Sequence, residues 1–188
     1  MGVGPVNESL TGEIRLLDPD SLEVERVLKI GPDDQPYDVA FSHDGTKLAT
    51  GGARGTVSVF EVASGRLLHS ADRVHNGQLT HVEWLPDGRT IVTAGTDGKI
   101  SLYDAQRGLV RVAMPASAEP GGGYTHLLSL SDDAVTAMTG AMPGRTYSLD
   151  PARWLAYACR VAGRDLSADE WASYLGDLPY RRTCEGVG

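Results

Sequence analysis

Four segments of the chain run from a glycine through a short alternating strand to a bulky residue and an acid. They are Gly12–Asp18 (GEIRLLD), Gly55–Glu61 (GTVSVFE), Gly98–Asp104 (GKISLYD) and Gly144–Asp150 (GRTYSLD). Their first glycines lie 43, 43 and 46 residues apart. A near-fixed period in this range constrains the fold more than any other feature, because no unit of a stacked repeat buries its apolar face alone. Such arrays generally present a surface to partners rather than a pocket for chemistry.

A second unit recurs between these strands. Val39–Gly51 matches Val82–Ala94 at an offset of 43, and a weaker copy runs from Leu128 to Gly140. The first two read as strand, Asp-Gly turn, strand, since Asp and Gly both accept the positive φ that tight hairpins demand. Gly51-Gly52, Gly95 and Gly140 then turn the chain into the Gly-to-acid strand, and Gly65–His69 and Gly108–Val112 supply a further outer strand. Four antiparallel strands per repeat of about 43 residues is the blade of a β-propeller.

At these residues the chain resembles the WD-repeat family over residues 12–150. Phe41-Ser42-His43-Asp44-Gly45 is similar to its FSPDG turn, and Ala94–Asp104 to its GSxDGTVRLWD strand. The Trp-Asp ending is replaced by Leu17-Asp18, Phe60-Glu61, Tyr103-Asp104 and Leu149-Asp150. The resemblance implies an all-β fold of propeller blades, and a His–Asp–Ser/Thr–Trp hydrogen-bond network that pins the outer loop of a blade. His75, Thr93, Asp97 and Tyr103 match that network, with tyrosine in the place of tryptophan. Pro32 or Gly121 stands at the His position elsewhere, and Arg54 or Pro143 at the Asp position. Only the blade of His75 is therefore expected to be fully pinned. The same four residues imitate a hydroxyl–His–Asp triad, but a triad also needs an oxyanion hole and a cleft, which the sequence does not announce.

Lettering each blade a to d from the inside, the repeats supply c-d, a-b-c-d, a-b-c-d and a-b-c, thirteen strands in all. That is roughly three and a quarter four-stranded blades, whereas closed propellers have about 4–8. The expectation is a partial propeller of three to four blades. It is the end of a longer array, or self-associates to complete the ring, or has its edges covered by the segment that follows.

That segment, 151–188, breaks the period and reads as a helical hairpin beside the blades of 1–150, packed on the last of them. Asp150-Pro151 is an N-cap followed by proline at the first helical position, and Gly163 ends the helix. Trp154, Leu155, Ala158, Cys159 and Ala162 form its apolar stripe. Ser167-Ala168-Asp169-Glu170 is a capping box opening a second helix that carries Trp171, Tyr174 and Leu175 on one face. Trp154, Ala158–Ser167, Glu170-Trp171 and Pro179–Cys184 together resemble the tail of bacterial regulators that join a STAND-type NTPase to a WD-repeat propeller. No NTPase motif is present in the chain. Gly51–Thr56 is glycine-rich before a hydroxyl, but a strand follows rather than the helix a phosphate loop opens.

A net charge of −8 spread over 188 residues leaves no basic face to track phosphates. Nucleic acid and membrane surfaces are not expected partners, and no stretch approaches the roughly 18–20 apolar residues of a membrane span. Residues 1–9 have neither the basic nor the apolar region of a signal peptide. The expected location is cytoplasmic, with Cys159 and Cys184 close in space as reduced thiols and a disulfide the less favoured alternative. His43, His69, His81 and His126 lack metal-ligand spacing, so neither a metal nor a cofactor is expected.

The function expected is a non-catalytic scaffold or sensor that binds protein partners. Resemblance places the contact face on the loops around Asp33, Asp34, Gln35, Arg54 and Asn76-Gly77, and on 116–122. The rival is a small-ligand binder or enzyme acting through His75.

Overall fold

The computed structural model describes residues 2–4, 12–31, 34–115, 125–131, 134–139, 145–176 and 178–184. The predicted positions at Pro32, Asp33, 116–122, Gly140 and Pro143 lie outside the described residues. By compactness the chain divides between Thr146 and Tyr147.

The first unit is built from antiparallel sheets. Fourteen strands lie among the described residues: β1 (Gly2–Gly4), β2 (Gly12–Leu17), β3 (Val24–Gly31), β4 (Pro36–Phe41), β5 (Lys47–Gly52), β6 (Val57–Glu61), β7 (Leu67–Ala71), β8 (Leu79–Trp84), β9 (Thr90–Gly95), β10 (Lys99–Asp104), β11 (Leu109–Pro115), β12 (Thr125–Leu130), β13 (Ala134–Thr139) and β14 (Arg145–Ser148). They form sheets β1-β2-β3, β4-β5-β6-β7, β8-β9-β10-β11 and β12-β13-β14, each in sequence order. The two four-stranded sheets have the strand number and order of propeller blades, and among the described residues no sheet closes into a barrel. The expected count was one strand short. β1 pairs with β2 in the register Gly2↔Leu17, Val3↔Leu16 and Gly4↔Arg15, which makes the first blade b-c-d rather than c-d. A three-residue strand with glycine at both ends carries no alternation to read.

The hairpin turns form as expected at glycine but not at aspartate. Gly45 and Gly88 take φ of 68° and 62°, whereas Asp44 and Asp87 stay at negative φ. The carboxylates act instead as acceptors: Asp44 Oδ1 receives Thr46 N at 3.0 Å, and Asp87 Oδ1 receives Arg89 N at 2.8 Å and Thr90 N at 2.7 Å. Each Asp thus satisfies the amides that the turn leaves open.

Successive sheets pack face to face. Ile14, Leu16 and Leu28 of the first sheet bury against Leu48, Phe60 and Val62 of the second. The opposite face of the second sheet, with Ala49, Val57 and Val59, buries against Leu79, Val82, Trp84, Ile91 and Tyr103 of the third. This is why β6 and β10 are buried at successive positions: each is covered on both faces, so period-two polarity disappears. Polar bonds tie the inner strands together. Trp84 Nε1 donates to Ala40 O at 3.1 Å, Val82 N to Asp38 Oδ2 at 2.8 Å, and Thr80 Oγ1 to Thr125 O at 2.5 Å.

The acid that closes the third blade's repeat is fully buried. Asp104 accepts from Arg89 Nη2 at 2.9 Å, from Arg111 Nε at 3.0 Å and Arg111 Nη2, and from Gln106 N and Arg107 N at 3.0 and 3.1 Å. The Arg89 guanidinium, with Arg111 beside it, holds the carboxyl well below the usual carboxylate range. A buried charge persists because every lone pair is met.

The second unit contains α1 (Pro151–Ala162) and α2 (Ala168–Leu175). Asp150 caps α1 by accepting Ala152 N, and Gly163 ends it at φ 67°. Ser167 and Glu170 form both halves of the capping box on α2. Of the stripe read on α1, Cys159 is buried and Trp154 half-buried, while Leu155 is 40% exposed. Residues 178–184 return to the turn between the helices, where Trp171 Nε1 donates to Leu178 O and Asp165 Oδ1 accepts Thr183 N and Cys184 N. The expectation of two reduced thiols is corrected here: Cys159 and Cys184 are joined in a disulfide, with their Cα atoms 5.4 Å apart. The return of the chain brings the third turn of α1 within bonding reach of residue 184, a separation inside the usual range for a bridge.

Candidate functional site

His75 lies in the loop that joins β7 of the second sheet to β8 of the third, and Asp97 in the turn between β9 and β10, so the connecting loop meets a turn of the third blade over the end of its sheet. Glycine lets them meet. A Cβ on Gly95 would stand 2.5 Å from His75 Nδ1, and one on Gly55 would stand 2.1 Å from His75 O. The imidazole therefore lies directly over Gly95, and its backbone on Gly55, which also takes φ of 73°. His75 is 1% exposed.

Three of the four expected network members come together. His75 Nδ1 stands 2.9 Å from Asp97 Oδ1, and His75 Nε2 stands 2.8 Å from Thr93 Oγ1. Asp97 also accepts Asn76 N at 3.0 Å and Lys99 N at 3.2 Å. Burial holds the imidazole below its ordinary value of about 6.5, outweighing the opposing pull of Asp97, so the ring is neutral at pH 7. Burial pushes Asp97 up, but the bonds from His75 and Asn76 N prevail and keep it below the ordinary carboxylate value. With Asp97 ionised, Nδ1 carries the proton and donates to it, and Nε2 accepts from the Thr93 hydroxyl.

Tyr103 does not join, which corrects the fourth assignment. Its ring is fully buried in the core between the second and third blades, and its hydroxyl has no hydrogen-bond partner among the described residues. A Cβ on Gly108 would lie 3.6 Å from that oxygen, which places it at the outer end of the blade. The reason is geometric: an indole N–H projects from the side of its ring, whereas a phenol carries its donor at the far tip. Burial and the charge of Asp104 both push the phenol's pKa up. Replacing Tyr103 by Phe removes an unpaired buried hydroxyl while keeping the ring. Thermal denaturation of Tyr103→Phe should therefore show a change within about 0.5 kcal/mol or a gain in stability. A loss beyond about 1 kcal/mol would return the hydroxyl to the network.

The order Thr–His–Asp is that of a catalytic relay, and here it is buried in the blade. Thr93 is 0% and His75 1% exposed, so both groups spend their polar atoms on each other and on Asp97 rather than on the surface. An open cleft of about 510 Å³ lies elsewhere, lined by His43, Glu83, Trp84, Pro86, Leu130 and Ser131. Among the described residues no group of three or more His, Cys, Asp or Glu is placed to hold a metal ion.

The second blade has its own solution, invisible at the repeat's offset. Asp34 lies over the matching glycine: a Cβ on Gly52 would stand 2.3 Å from its Oδ2. Its Oδ1 accepts Arg54 N at 3.2 Å. Asp34 is 8% exposed, so it does not offer its side chain on the loop face as expected. Gln35, Arg54 and Asn76 are exposed there. Beside them the sequence reading missed Tyr37, half exposed, whose hydroxyl accepts from Gln78 Nε2 at 3.2 Å across the two blades. Its place at the start of β4, where an aromatic ring reads as core, hid it.

Comparison with known proteins agrees with this architecture. Residues 25–61 and 65–104 match the family model described as "WD domain, G-beta repeat". The chain is 30% identical over 78 residues to WD repeat-containing protein 1 of Gallus gallus, covering 42% of this chain and 13% of that protein. It is 36% identical over 74 residues to the WD repeat-containing protein 26 homolog of Drosophila melanogaster, covering 37% and 12%. A third similarity, 30% over 79 residues, is to the U5 small nuclear ribonucleoprotein 40 kDa protein of Dictyostelium discoideum, covering 42% and 22%. The chain thus spans less than a quarter of the length of these relatives. In sequence and in strand order alike, the second and third blades are similar to WD repeats.

Proposed function

We propose that the chain is a non-catalytic protein-interaction module of the WD-repeat type, binding partners through the loop face that carries Tyr37, Arg54 and Asn76. WD-repeat proteins are in general interaction scaffolds. The observation that carries the reading is the exposed Tyr37, held by Gln78 from the next blade beside the exposed Arg54 and Asn76. Tyrosine and arginine supply a disproportionate share of binding energy at interfaces, and a ring already held in place loses little entropy on binding. The burial of His75 and Thr93 supports the non-catalytic half of the proposal.

The finer proposal is a cytoplasmic setting in a bacterial signalling regulator. What supports it is the residue pattern of 151–184; the relatives named above are eukaryotic. Self-association to complete a ring belongs to the same proposal as a second mode of partnering. Photo-crosslinkable residues at Tyr37 and Arg54, compared with residues at the exposed outer-strand positions Leu67 and Leu109, test the loop face in cells. Crosslinks to a discrete protein partner should form at the first pair and not the second. Crosslinks confined to Leu67 and Leu109, or equal at all four, overturn the assignment.

A further inference from the structure

We propose that the bond between Cys159 and Cys184 is a reversible redox latch that holds segment 178–184 against the turn between α1 and α2. It stands independently of the loop-face reading. Three observations carry it. First, the second unit has very little apolar core: among its described residues only Leu149, Cys159 and Trp171 are buried hydrophobics, while Tyr157, Val161, Tyr174, Leu178 and Tyr180 are 48–75% exposed. A unit this small seldom holds together by burial alone and depends on a covalent or other tie. Second, the non-covalent ties seen on 178–184 are single hydrogen bonds and one edge-to-face ring contact. Trp171 Nε1 donates to Leu178 O, Tyr180 Oη to Leu166 O at 3.1 Å, and Asp165 takes the amides of Thr183 and Cys184. Each such bond makes a modest net contribution and is lost when the segment opens locally. The disulfide is the tie that does not exchange with water, and it closes a loop with a sequence separation of 25.

Third, the two sulfurs differ in access. Cys159 is 7% exposed on α1, whereas Cys184 is only half-buried. A small thiolate reaches Cys184 Sγ, forms a new S–S bond there, and releases Cys159 as a thiolate that takes a proton. A second thiol of the same kind attacks that mixed disulfide, freeing Cys184 and leaving as the small-molecule disulfide. Two thiols are oxidised and one protein disulfide is reduced. The reverse exchange, driven by a small disulfide, closes the latch. Opening frees the indole of Trp171 from Leu178 O and from the edge of Tyr180, whose ring centroid lies 5.7 Å away. Apolar surface in the unit then increases.

The whole chain equilibrated in graded mixtures of reduced and oxidised glutathione tests this with two readouts. Alkylation followed by mass measurement counts free thiols, and timed trypsin digestion reports cleavage after Arg181 and Arg182. In oxidising mixtures neither cysteine should be alkylated and both sites should resist. In reducing mixtures both cysteines should be alkylated and cleavage should accelerate roughly tenfold or more, with the blades' own digestion unchanged. Cys184→Ser, at the half-buried end, should digest like the reduced form in every mixture. Failure of the bond to form in any mixture, or equal digestion of the two forms, overturns the proposal.

Discussion

Trp84→Ala should lower stability by about 3–5 kcal/mol, the range for deleting a fully buried large aromatic side chain. The indole is 1% exposed and fills the space between the second and third blades with Ala40, Ala49, Val59 and Tyr103. Its Nε1 is also a polar tie between inner strands, reaching Ala40 O, so the alanine variant removes that bond as well as creating a cavity. Trp84→Phe separates the two contributions: it keeps much of the volume and loses only the bond, at about 1–2 kcal/mol. Denaturant titration of the three proteins checks this. If Trp84→Phe cost as much as Trp84→Ala, the hydrogen bond and not the packing would carry the interface.

His75→Ala comes next, at about 2–4 kcal/mol, because it removes a buried ring and strands Asp97 and the Thr93 hydroxyl. The size of the loss, measured beside an unchanged loop-face interaction, distinguishes a structural network from a catalytic one. Its pH dependence is a sharper test. The folded imidazole's pKa lies below its ordinary value of about 6.5, so the unfolded chain binds the proton more readily. Stability from the neutral ring is therefore complete above about 6.5 and is lost as pH falls through and below that value. Asp97, also held below its ordinary value, adds a loss of the same sign at more acidic pH. Melting temperatures of the native chain should fall between pH 7 and 5, and His75→Ala should flatten that slope. An equal slope in both proteins would show that the ring does not titrate as its burial requires.

Much of the fold was legible because it rests on local chemistry. Gly45 and Gly88 take the positive φ their turns require, Asp150 and Ser167 cap the helices they precede, and the period of 43 aligns β6 with β10. The candidate site was legible in part. His75, Thr93 and Asp97 meet because the sheet places residues of adjacent strands in register, Thr93 opposite Ser101 in β9 and β10. Tyr103 failed because its residue type, not its position, decides where the donor points. Asp34 was misplaced because it stands 18 residues before Gly52 while His75 stands 20 before Gly95, so a fixed offset passes over it.

By itself, then, the sequence determined the strands, turns, caps and repeat length, each set by backbone conformations that a few residues choose among. Which side chains lie over Gly52 and Gly95, that Val3 pairs with Leu16, that Tyr37 faces solvent, and that Cys159 bonds Cys184 were decided only in three dimensions. Those contacts depend on loop paths and on neighbouring blades, and residues far apart in the chain carry no local signal of meeting until the packing brings them together.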